Sequence, residues 1–337
     1  MPTMAREIHL LAYPAGEPQP GDFTLVERPL PEPRHGELLI RNQAISVDPY
    51  MRGKMTGKRT YTAPYELNAP MEGRAVGVVE VSRDPDFTEG TVVLHDAGWR
   101  DRAVVGSGHV RAINVIDAIP VTAHLGVLGM PGRTAYVGLF EKARMRGGES
   151  VFVSGAAGAV GGLVGQLARL RGASRVIGSA GSAEKVDYLV NELGFDAAFN
   201  YKDGPVVEQL SQLAPHGIDI YFDNVGGDHL EAAMAVANPF ARFALCGAIS
   251  GYNATEPQPG PRNMALIVTK RLMLQGFIVT DTSDATADFY REVAPAVADG
   301  RLKFRETVVE GLENAPEAFI SMLRGANTGK MVVRVGT

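Results

Sequence analysis

The sequence predicts an α/β protein in which a doubly wound parallel sheet follows an irregular, mostly β region. From about residue 120 to 300, short apolar runs alternate with helical patterns at intervals of roughly 20–30 residues, the length of a strand, a crossover helix and two loops. Before that point, Pro, Gly and Asp punctuate short apolar or alternating runs. The length of 337 residues also favours two domains over one.

The strands and helices of the second region can be assigned one by one. Strand candidates begin near Val151, Arg175, Ala197, Ile218, Arg242 and Leu272. Helix candidates occupy the gaps at residues 159–171, 183–193, 206–213 and 229–236. Six strands joined by helices are typical of a doubly wound parallel sheet.

The two ends of the chain have a different pattern. Strand candidates in the first region are residues 38–40, 75–81 and 91–94, and the chain end returns to strand-like runs at 307–310 and 331–335 around a helix candidate at 315–324. We expect this tail to pack back onto the first region. The expected domains are therefore residues 1–122 with 305–337, and residues 123–304.

Composition argues against several functional classes. The net charge is −5 and no run of Lys and Arg is long enough for a nucleic-acid groove. No segment approaches the ~18 apolar residues of a membrane span, and the first residues lack a signal-peptide pattern, so we expect no membrane partner and a cytoplasmic location. The single cysteine, Cys246, excludes an intramolecular disulfide and a Cys-based structural zinc site.

The clearest functional motif follows the strand that begins at Val151. That strand runs into a turn with Gly155, Gly158 and Gly161, and a helical pattern follows. Glycines let the backbone approach a pyrophosphate, and a helix N-terminus offers free N–H groups and a partial positive charge. A turn that only permits close helix–strand packing is the alternative, but the surrounding α/β pattern favours a dinucleotide site.

The next strand indicates which dinucleotide binds. An NAD site usually carries Asp or Glu at the end of its second strand, to bind the ribose hydroxyls. Here residues 178–182 are small, the first carboxylate is Glu184, inside the next helix candidate, and Lys185 follows it. Small residues leave room for a 2′-phosphate and a lysine supplies its counter-charge, so NADPH is favoured. A solvated helix lysine is the alternative for Lys185.

Several separated motifs extend over nearly the whole chain: residues 47–52, 129–132, 134–136, 157–161, 194–196, 200–202, 221–227, 246–252 and 327–330. They resemble the zinc-independent alkenal/one oxidoreductases of the medium-chain dehydrogenase/reductase type, which include prostaglandin and leukotriene reductases, plant double-bond reductases and bacterial curcumin-type reductases. The resemblance implies a GroES-like β-barrel domain beside a Rossmann domain, with NADPH as cofactor, a small enal or enone as substrate and a homodimer.

The resemblance also implies site residues. Lys185 and Tyr201 would hold the adenosine phosphate end of NADPH, and residues 277–279 would line its nicotinamide. The implied cofactor-binding set is Met130, Thr134, Ala157, Gly158, Ala159, Val160, Gly161, Lys185, Tyr201, Asn224, Cys246, Gly247, Ala248, Ile249, Ser250, Gly251, Tyr252, Phe277, Ile278, Val279 and Asn327. One departure is Arg133, where an apolar residue is expected. Either it places a cation beside the nicotinamide, or it points to solvent or pairs with a carboxylate.

We expect the chemistry to proceed without a metal. Cys246 falls in the implied cofactor loop, and the best histidine candidates, His95 and His109, stand on unrelated segments. Reduction of a conjugated carbon–carbon double bond depends less on a Lewis acid than reduction of a ketone does. Hydride adds to the β-carbon, and the negative charge spreads onto the carbonyl oxygen, where neutral hydrogen-bond donors stabilise it. The expected donor is the Tyr252 hydroxyl, helped by a ribose hydroxyl, and Tyr50 would form a wall of the substrate pocket. For each tyrosine, a purely structural role is the alternative.

Two other functions remain open at this point. A quinone reductase of the same superfamily shares fold and cofactor, although the loop at residues 246–252 argues against it. A non-catalytic NADPH-binding sensor would keep the Gly-rich turn and Lys185 but would need neither Tyr50 nor Tyr252.

Overall fold

A computed structural model describes residues 2–116, 119–282 and 285–336, in which the chain forms two compact units. The first unit comprises residues 1–125 and 306–337, and the second comprises 126–305. The sequence placed the first boundary after residue 122. The difference arises because Leu125, at the end of the 3-10 turn Val121–Leu125, is buried against Ala44 and Val76 of the first unit.

The strands and helices have the following bounds. The strands are β1 (Met4–Leu10), β2 (Phe23–Pro29), β3 (Glu37–Ser46), β4 (Ala75–Ser82), β5 (Val92–His95), β6 (Arg102–Gly106), β7 (Arg111–Ala112), β8 (Ser150–Val153), β9 (Arg175–Ala180), β10 (Ala197–Asn200), β11 (Ile218–Asp223), β12 (Ala237–Leu245), β13 (Met273–Gly276), β14 (Glu306–Glu310) and β15 (Lys330–Arg334). The helices are α1 (Met51–Lys54), α2 (Met130–Tyr136), α3 (Gly161–Leu170), α4 (Ala183–Asp187), α5 (Val206–Leu213), α6 (Gly227–Val236), α7 (Ala265–Thr269), α8 (Ala285–Ala298) and α9 (Ala315–Leu323).

The second unit contains the doubly wound sheet that the sequence predicts. Its strands are all parallel, in the order β10-β9-β8-β11-β12-β13. The order reverses between β8 and β11, and in open parallel sheets ligands bind outside the carboxyl ends of the strands at such a switch point. The Gly-rich turn after β8 lies at this point.

Aromatic packing holds the central strands of this sheet together. Phe152 stacks on Tyr221 of the neighbouring strand, with 5.1 Å between ring centroids, and Tyr221 meets Phe243 edge-on at 5.2 Å. All three rings are almost fully buried. Such aromatic pairs add roughly 0.5–1.5 kcal/mol each beyond the burial of their area.

Two predicted boundaries differ from the structure. The helix expected at residues 183–193 is α4 followed by a π-helical turn, Tyr188–Glu192. The strand expected to begin near Arg242 begins at Ala237 instead. Its first half contains Phe240 at φ +66°. A bulky residue rarely adopts this left-handed conformation, so the sequence does not predict it.

The first unit is built on a mixed sheet, which is consistent with the expected GroES-like domain. Within the described residues its hydrogen-bonded path runs β14-β15-β3-β4-β5-β7, with β6 pairing β3, and β1 and β2 form a separate two-stranded sheet. The chain end joins the first region because β15 pairs antiparallel with β3, Val333 opposite Ile45. Within the same described ranges, no helix has the length and apolar character needed to cross a membrane.

One tryptophan connects distant segments of the first unit. Trp99 is fully buried between Phe23 of β2 and Phe319 of α9, with 6.2 Å between ring centroids in each pair. The N-terminal and C-terminal segments therefore share one core, since burial of a large aromatic side chain contributes several kcal/mol.

Candidate active site

The turn between β8 and α3 brings the backbone close to where a phosphate would lie. Gly155 adopts φ +59°, and a Cβ on Gly161 would lie 2.6 Å from the Gly155 carbonyl oxygen, so a side chain at either position is disfavoured. The N-cap of α3 is Val160, whose apolar side chain cannot accept a hydrogen bond from the first turn. The N–H groups at this helix end are therefore suited to an anion.

Asp223, at the carboxyl end of β11, organises the edge of the sheet and was absent from the predicted site. Its side chain is buried, and its Oδ1 accepts hydrogen bonds from the backbone N–H groups of Val225 (2.9 Å) and Gly226 (2.8 Å) and from the hydroxyls of Ser154 (3.0 Å) and Tyr221 (2.7 Å). The available signal was an acidic residue ending a buried apolar strand, because such a carboxylate must find donors.

The loop at residues 246–252 is hydrogen-bonded along the segment that follows β11. Cys246 N–H donates to the Asp223 carbonyl oxygen (2.8 Å), and Ser250 uses both its N–H (3.2 Å) and its hydroxyl (2.6 Å) on the Val225 carbonyl oxygen. Residues 249–251 form a 3-10 turn that completes the loop. The loop therefore lies at the carboxyl edge of the sheet, next to the switch point.

Asn224 joins this edge to the Gly-rich turn. Its side-chain Nδ2 donates to the Ser154 carbonyl oxygen (2.8 Å), and its backbone N–H donates to the Ser154 hydroxyl (3.0 Å). Asn224 therefore fixes the end of β11 against the end of β8, where the predicted phosphate-binding turn starts.

Tyr252 is half-buried, and its hydroxyl lies over its own loop. A Cβ on Gly247 would lie 3.2 Å from the hydroxyl oxygen, and the backbone of Ala248 hydrogen-bonds it. Burial raises the pKa of Tyr252 above its usual value, with a further contribution from nearby Asp223. The phenol is therefore protonated at neutral pH and can act as a neutral donor.

Predicted nicotinamide-lining residues gather in one cluster of the second unit. Met130 of α2 and Phe277 pack against a core that includes Val279. Thr134, one turn after Met130, donates its hydroxyl to the Met130 carbonyl oxygen (2.8 Å). Phe277 also meets Phe222 of β11 edge-on, 6.2 Å between centroids, so the cluster adjoins the carboxyl edge of the sheet.

The side chain of Arg133 makes hydrogen bonds within this cluster. Its Nη2 donates to the carbonyl oxygens of Val279 (2.6 Å) and Thr282 (3.2 Å), the start and end of the 3-10 turn that follows Ile278. The guanidinium therefore braces the segment that carries Val279.

Tyr201 lies at the carboxyl end of the strand next to β9. Its N–H donates to the Ala180 carbonyl oxygen (3.0 Å), and a Cβ on Gly181 would lie 3.1 Å from its hydroxyl, so the ring covers the end of β9. The buried side chain of His229, in the first turn of α6, meets the Tyr201 ring edge-on with 5.3 Å between centroids. No sequence signal pointed to His229.

Lys185 lies in the first turn of α4, the helix that follows β9. The N-cap residue Ser182 accepts its backbone N–H (3.3 Å). Burial, followed by the charge of Lys202, lowers the pKa of Lys185. The ammonium groups of Lys185 and Lys202 repel each other at the ends of β9 and β10, and this repulsion favours binding of an anion there.

Tyr50 and Asn327, the remaining predicted residues, lie in the first unit. Tyr50 immediately precedes α1 and packs against the unit's main core. Burial, followed by the charge of Asp48, raises its pKa. The Nδ2 of Asn327 donates to the Gly329 carbonyl oxygen (2.7 Å), which closes the turn before β15.

Comparison with known proteins gives matches over the whole chain. A family model described as the N-terminal domain of oxidoreductase matches residues 6–113, and one described as zinc-binding dehydrogenase matches residues 159–298. The chain is 42% identical to the putative NADP-dependent oxidoreductase YfmJ of Bacillus subtilis, over 99% of both chains. It is 40% identical to the NADPH-dependent curcumin reductase of Escherichia coli, over 97% of this chain and 95% of that one.

Two further matches agree with these. The chain is 37% identical to a 2-alkenal reductase (NADP(+)-dependent) of Nicotiana tabacum, over 98% of this chain and 97% of that one. The crystal structure of CurA from Vibrio vulnificus in complex with NADPH is 40% identical, with a TM-score of 0.93 over 98% of this chain and 99% of that one.

The side chains of this protein do not fit a zinc site, although one family description mentions zinc. Burial raises the pKa of the only thiol, Cys246, to about 12, which disfavours the thiolate that zinc needs. His95 uses both ring nitrogens: Nδ1 accepts from Ala97 N–H (3.1 Å) and Nε2 donates to Asn42 Oδ1 (2.8 Å). In the part of the chain that the structure describes, no three His, Cys, Asp or Glu side chains gather where they could hold an ion.

Proposed function

The chain belongs to the alkenal/one oxidoreductase family of medium-chain dehydrogenases/reductases, and we propose that it uses NADPH to reduce the carbon–carbon double bond of α,β-unsaturated aldehydes or ketones without a metal. The observation that carries this proposal is the full-length similarity, at 37–40% identity, to a curcumin reductase and a 2-alkenal reductase that depend on NADPH or NADP. The residues at the carboxyl edge of the second unit's sheet are suited to this chemistry.

The chain's own groups account for cofactor choice. The turn at residues 155–161 would take the pyrophosphate on its backbone N–H groups, and Lys185 and Tyr201 would take the 2′-phosphate at the ends of β9 and β10. No carboxylate stands between the end of β9 and Glu184 to repel that phosphate. The cluster of Met130, Phe277 and Val279 would support the nicotinamide ring.

The proposed reduction places negative charge on the substrate carbonyl oxygen. Bound NADPH would supply a hydride to the β-carbon. The Tyr252 hydroxyl would then donate a hydrogen bond to the enolate oxygen, and its raised pKa keeps that proton in place at neutral pH. A donor of this kind is worth roughly 3–4 kcal/mol. Tyr50 would form a wall for the carbon skeleton, and water would protonate the α-carbon.

The direct test follows NADPH oxidation at its ultraviolet absorbance with a panel of alkenals, enones and quinones, and with NADH as the control. We expect turnover of enals or enones to the saturated carbonyl, with NADPH strongly preferred. Turnover of quinones alone would assign the chain to quinone reduction, and NADPH binding without any turnover would assign it to a sensor.

We also propose that the enzyme is a homodimer in the cytoplasm. Among the described residues, β13 is the last strand of its sheet, and exposed apolar side chains lie on the helix before it and on the strand paired with it: Val268 of α7 is 77% exposed and Phe240 of β12 is 65% exposed. A second copy could cover this edge, and the single cysteine suits a reducing compartment.

Light scattering after gel filtration should give twice the chain mass, and Val268→Glu should give a monomer. A monomeric wild type would refute the dimer, and fractionation tests the location.

A further inference from the structure

A buried ion pair lies in the first unit among residues that the proposed chemistry does not use. Lys330 and Asp48 are each 4% exposed, and Lys330 Nζ is 3.2 Å from Asp48 Oδ1. The same ammonium donates to the carbonyl oxygens of Val47 (2.6 Å) and Met331 (2.8 Å). An ammonium has three donors, and all three are used here.

The surroundings of the pair are polar on both sides. The Ser46 hydroxyl donates to the second oxygen of Asp48, and Glu306 lies opposite Lys330 in the β14–β15 ladder. Burial lowers the pKa of Lys330, while Asp48 and then Glu306 oppose that change. Buried ion pairs are seldom retained for stability alone, because apolar side chains of similar volume often replace them without loss.

The position of the pair indicates what it does. The backbone ladder between β3 and β15 ends where Val332 faces Ser46. Just beyond that end, the chain enters the Tyr50 turn (residues 47–50) on one side and leaves the Asn327 turn (residues 327–330) on the other. The contacts of Lys330 with Val47 and Asp48 continue the connection between these segments after the ladder has stopped.

Each turn is also held by further hydrogen bonds. The Asp48 carbonyl oxygen accepts the N–H of Met51, which starts α1 directly after Tyr50 (3.1 Å). On the other side, Thr328 N–H donates to the Thr307 hydroxyl (3.0 Å), and Asn327 Nδ2 closes its turn on Gly329. The ion pair between Asp48 and Lys330 therefore joins two turns that are each held by hydrogen bonds.

We propose that Asp48 and Lys330 are positioning residues that hold the Tyr50 turn and the Asn327 turn in a fixed relative position. The substrate contact of Tyr50 and the cofactor contact of Asn327 are thereby coupled. This rests on the proposed function, in which Tyr50 meets the enone, and on the NADPH contact of Asn327 that the family resemblance implies. The pair would thus set affinity for both ligands from a place that touches neither.

The test is a double variant, Asp48→Asn with Lys330→Met, which removes both charges while keeping side-chain size. The control is Glu80→Gln with Arg102→Met, which removes the partly exposed ion pair of the same unit between β4 and β6 (2.9 Å) together with the contact of Glu80 with Arg41 (3.0 Å). We expect the double variant to keep the melting temperature of the control pair. Its KM for the enone and for NADPH should both rise about tenfold, since small misplacements of binding groups have effects of this size or larger.

Hydrogen exchange gives a second readout that does not depend on activity. Amides of residues 47–52 and 327–331 should exchange faster together in the double variant, while those of β4 stay unchanged. Acceleration in one segment alone, or a rise in only one of the two KM values, would overturn the coupling. If the double variant does not fold, Lys330→Arg replaces it in the same measurements, with the same criteria. This variant keeps the charge but not the compact ammonium group.

These outcomes separate the coupling from the proposed function. If the wild-type enzyme reduces no enal or enone, the proposed function fails, and the exchange of the two segments still decides whether Asp48 and Lys330 join them. If the wild type is active and both KM values of the double variant match those of the control, the coupling alone fails.

Discussion

Tyr252 has the two properties that a neutral hydrogen-bond donor needs, a protonated hydroxyl and a fixed position on a braced loop. We predict that Tyr252→Phe lowers kcat for enones by about 100-fold, the usual effect of removing one donor to a developing oxyanion, while the KM for NADPH stays unchanged. Steady-state kinetics measure both. The control is Tyr136→Phe, whose hydroxyl bonds Glu292 (3.0 Å) away from the loop and should leave kcat unaltered. Equal kcat in wild type and Tyr252→Phe would contradict the donor role.

The same residue predicts a pH dependence. Burial raises the pKa of Tyr252, and the active form is the protonated one. Activity that depends on this proton should therefore persist past the ordinary tyrosine pKa of about 10 and decline only above it. A kcat profile from pH 6 to 11 measures this, with Tyr252→Phe as the control that lacks the alkaline decline. A decline of the wild type centred below pH 9 that Tyr252→Phe loses would show that the pKa is lowered instead.

Lys185 should decide between the two nicotinamide cofactors. We predict that Lys185→Met raises the KM for NADPH by about 10–100-fold, because a hydrogen bond to a charged group contributes roughly 1.5–3 kcal/mol. The KM for NADH, which has no 2′-phosphate, should change little. The matched control is Lys142→Met, at the end of the π-helical turn after α2. Parallel loss of affinity for both cofactors would mean that Lys185 supports the fold and not the phosphate.

At the scale of the element, the strand–turn–helix unit from β8 to α3 depends on close backbone contact. A Cβ on Gly161 would meet the Gly155 carbonyl oxygen at 2.6 Å and the Ala156 Cα at 2.7 Å, and neither backbone atom can rotate away. We predict that Gly161→Ala lowers stability by about 1–3 kcal/mol and weakens NADPH binding. Urea unfolding and a binding titration measure the two effects. Gly260→Ala, where a Cβ meets no atom within 4 Å, is the control. Wild-type affinity in Gly161→Ala would refute the close approach.

The carboxyl edge of β11 shows why an element can be predicted while its chemistry is missed. The apolar run that ends in Asp223 predicts a buried strand, which the structure confirms. Two of the donors to Asp223 come from the residues just after it, but Ser154 directly follows β8, 69 residues away in the chain. Strand order alone brings these two residues together, and no spacing within one segment encodes it.

At the scale of the whole molecule, cofactor binding should appear as stability. A ligand at 100 times its dissociation constant stabilises the folded state by about 2.7 kcal/mol. We predict that saturating NADPH raises the melting temperature by about 5–10 °C, given the usual 2–4 °C per kcal/mol for domains of this size. Differential scanning fluorimetry measures the shift. NADH at the same concentration should give a smaller shift, and Lys185→Met should abolish the difference. Equal shifts with both cofactors in the wild type would contradict NADPH preference.

The sequence by itself determined the parallel sheet and the preference for NADPH, because these depend on local order: alternating apolar runs, a glycine spacing and the absence of a carboxylate after one strand. The family followed from the resemblance of several separated motifs. Only the tertiary structure decided the strand order of the first sheet, the contacts of Arg133 with the carbonyl oxygens of Val279 and Thr282, and the contact of Lys330 with Val47, 283 residues away in the chain. Periodicity reports which face of an element is buried. It does not report which distant residue that face will meet, since the packing of the elements sets those pairs.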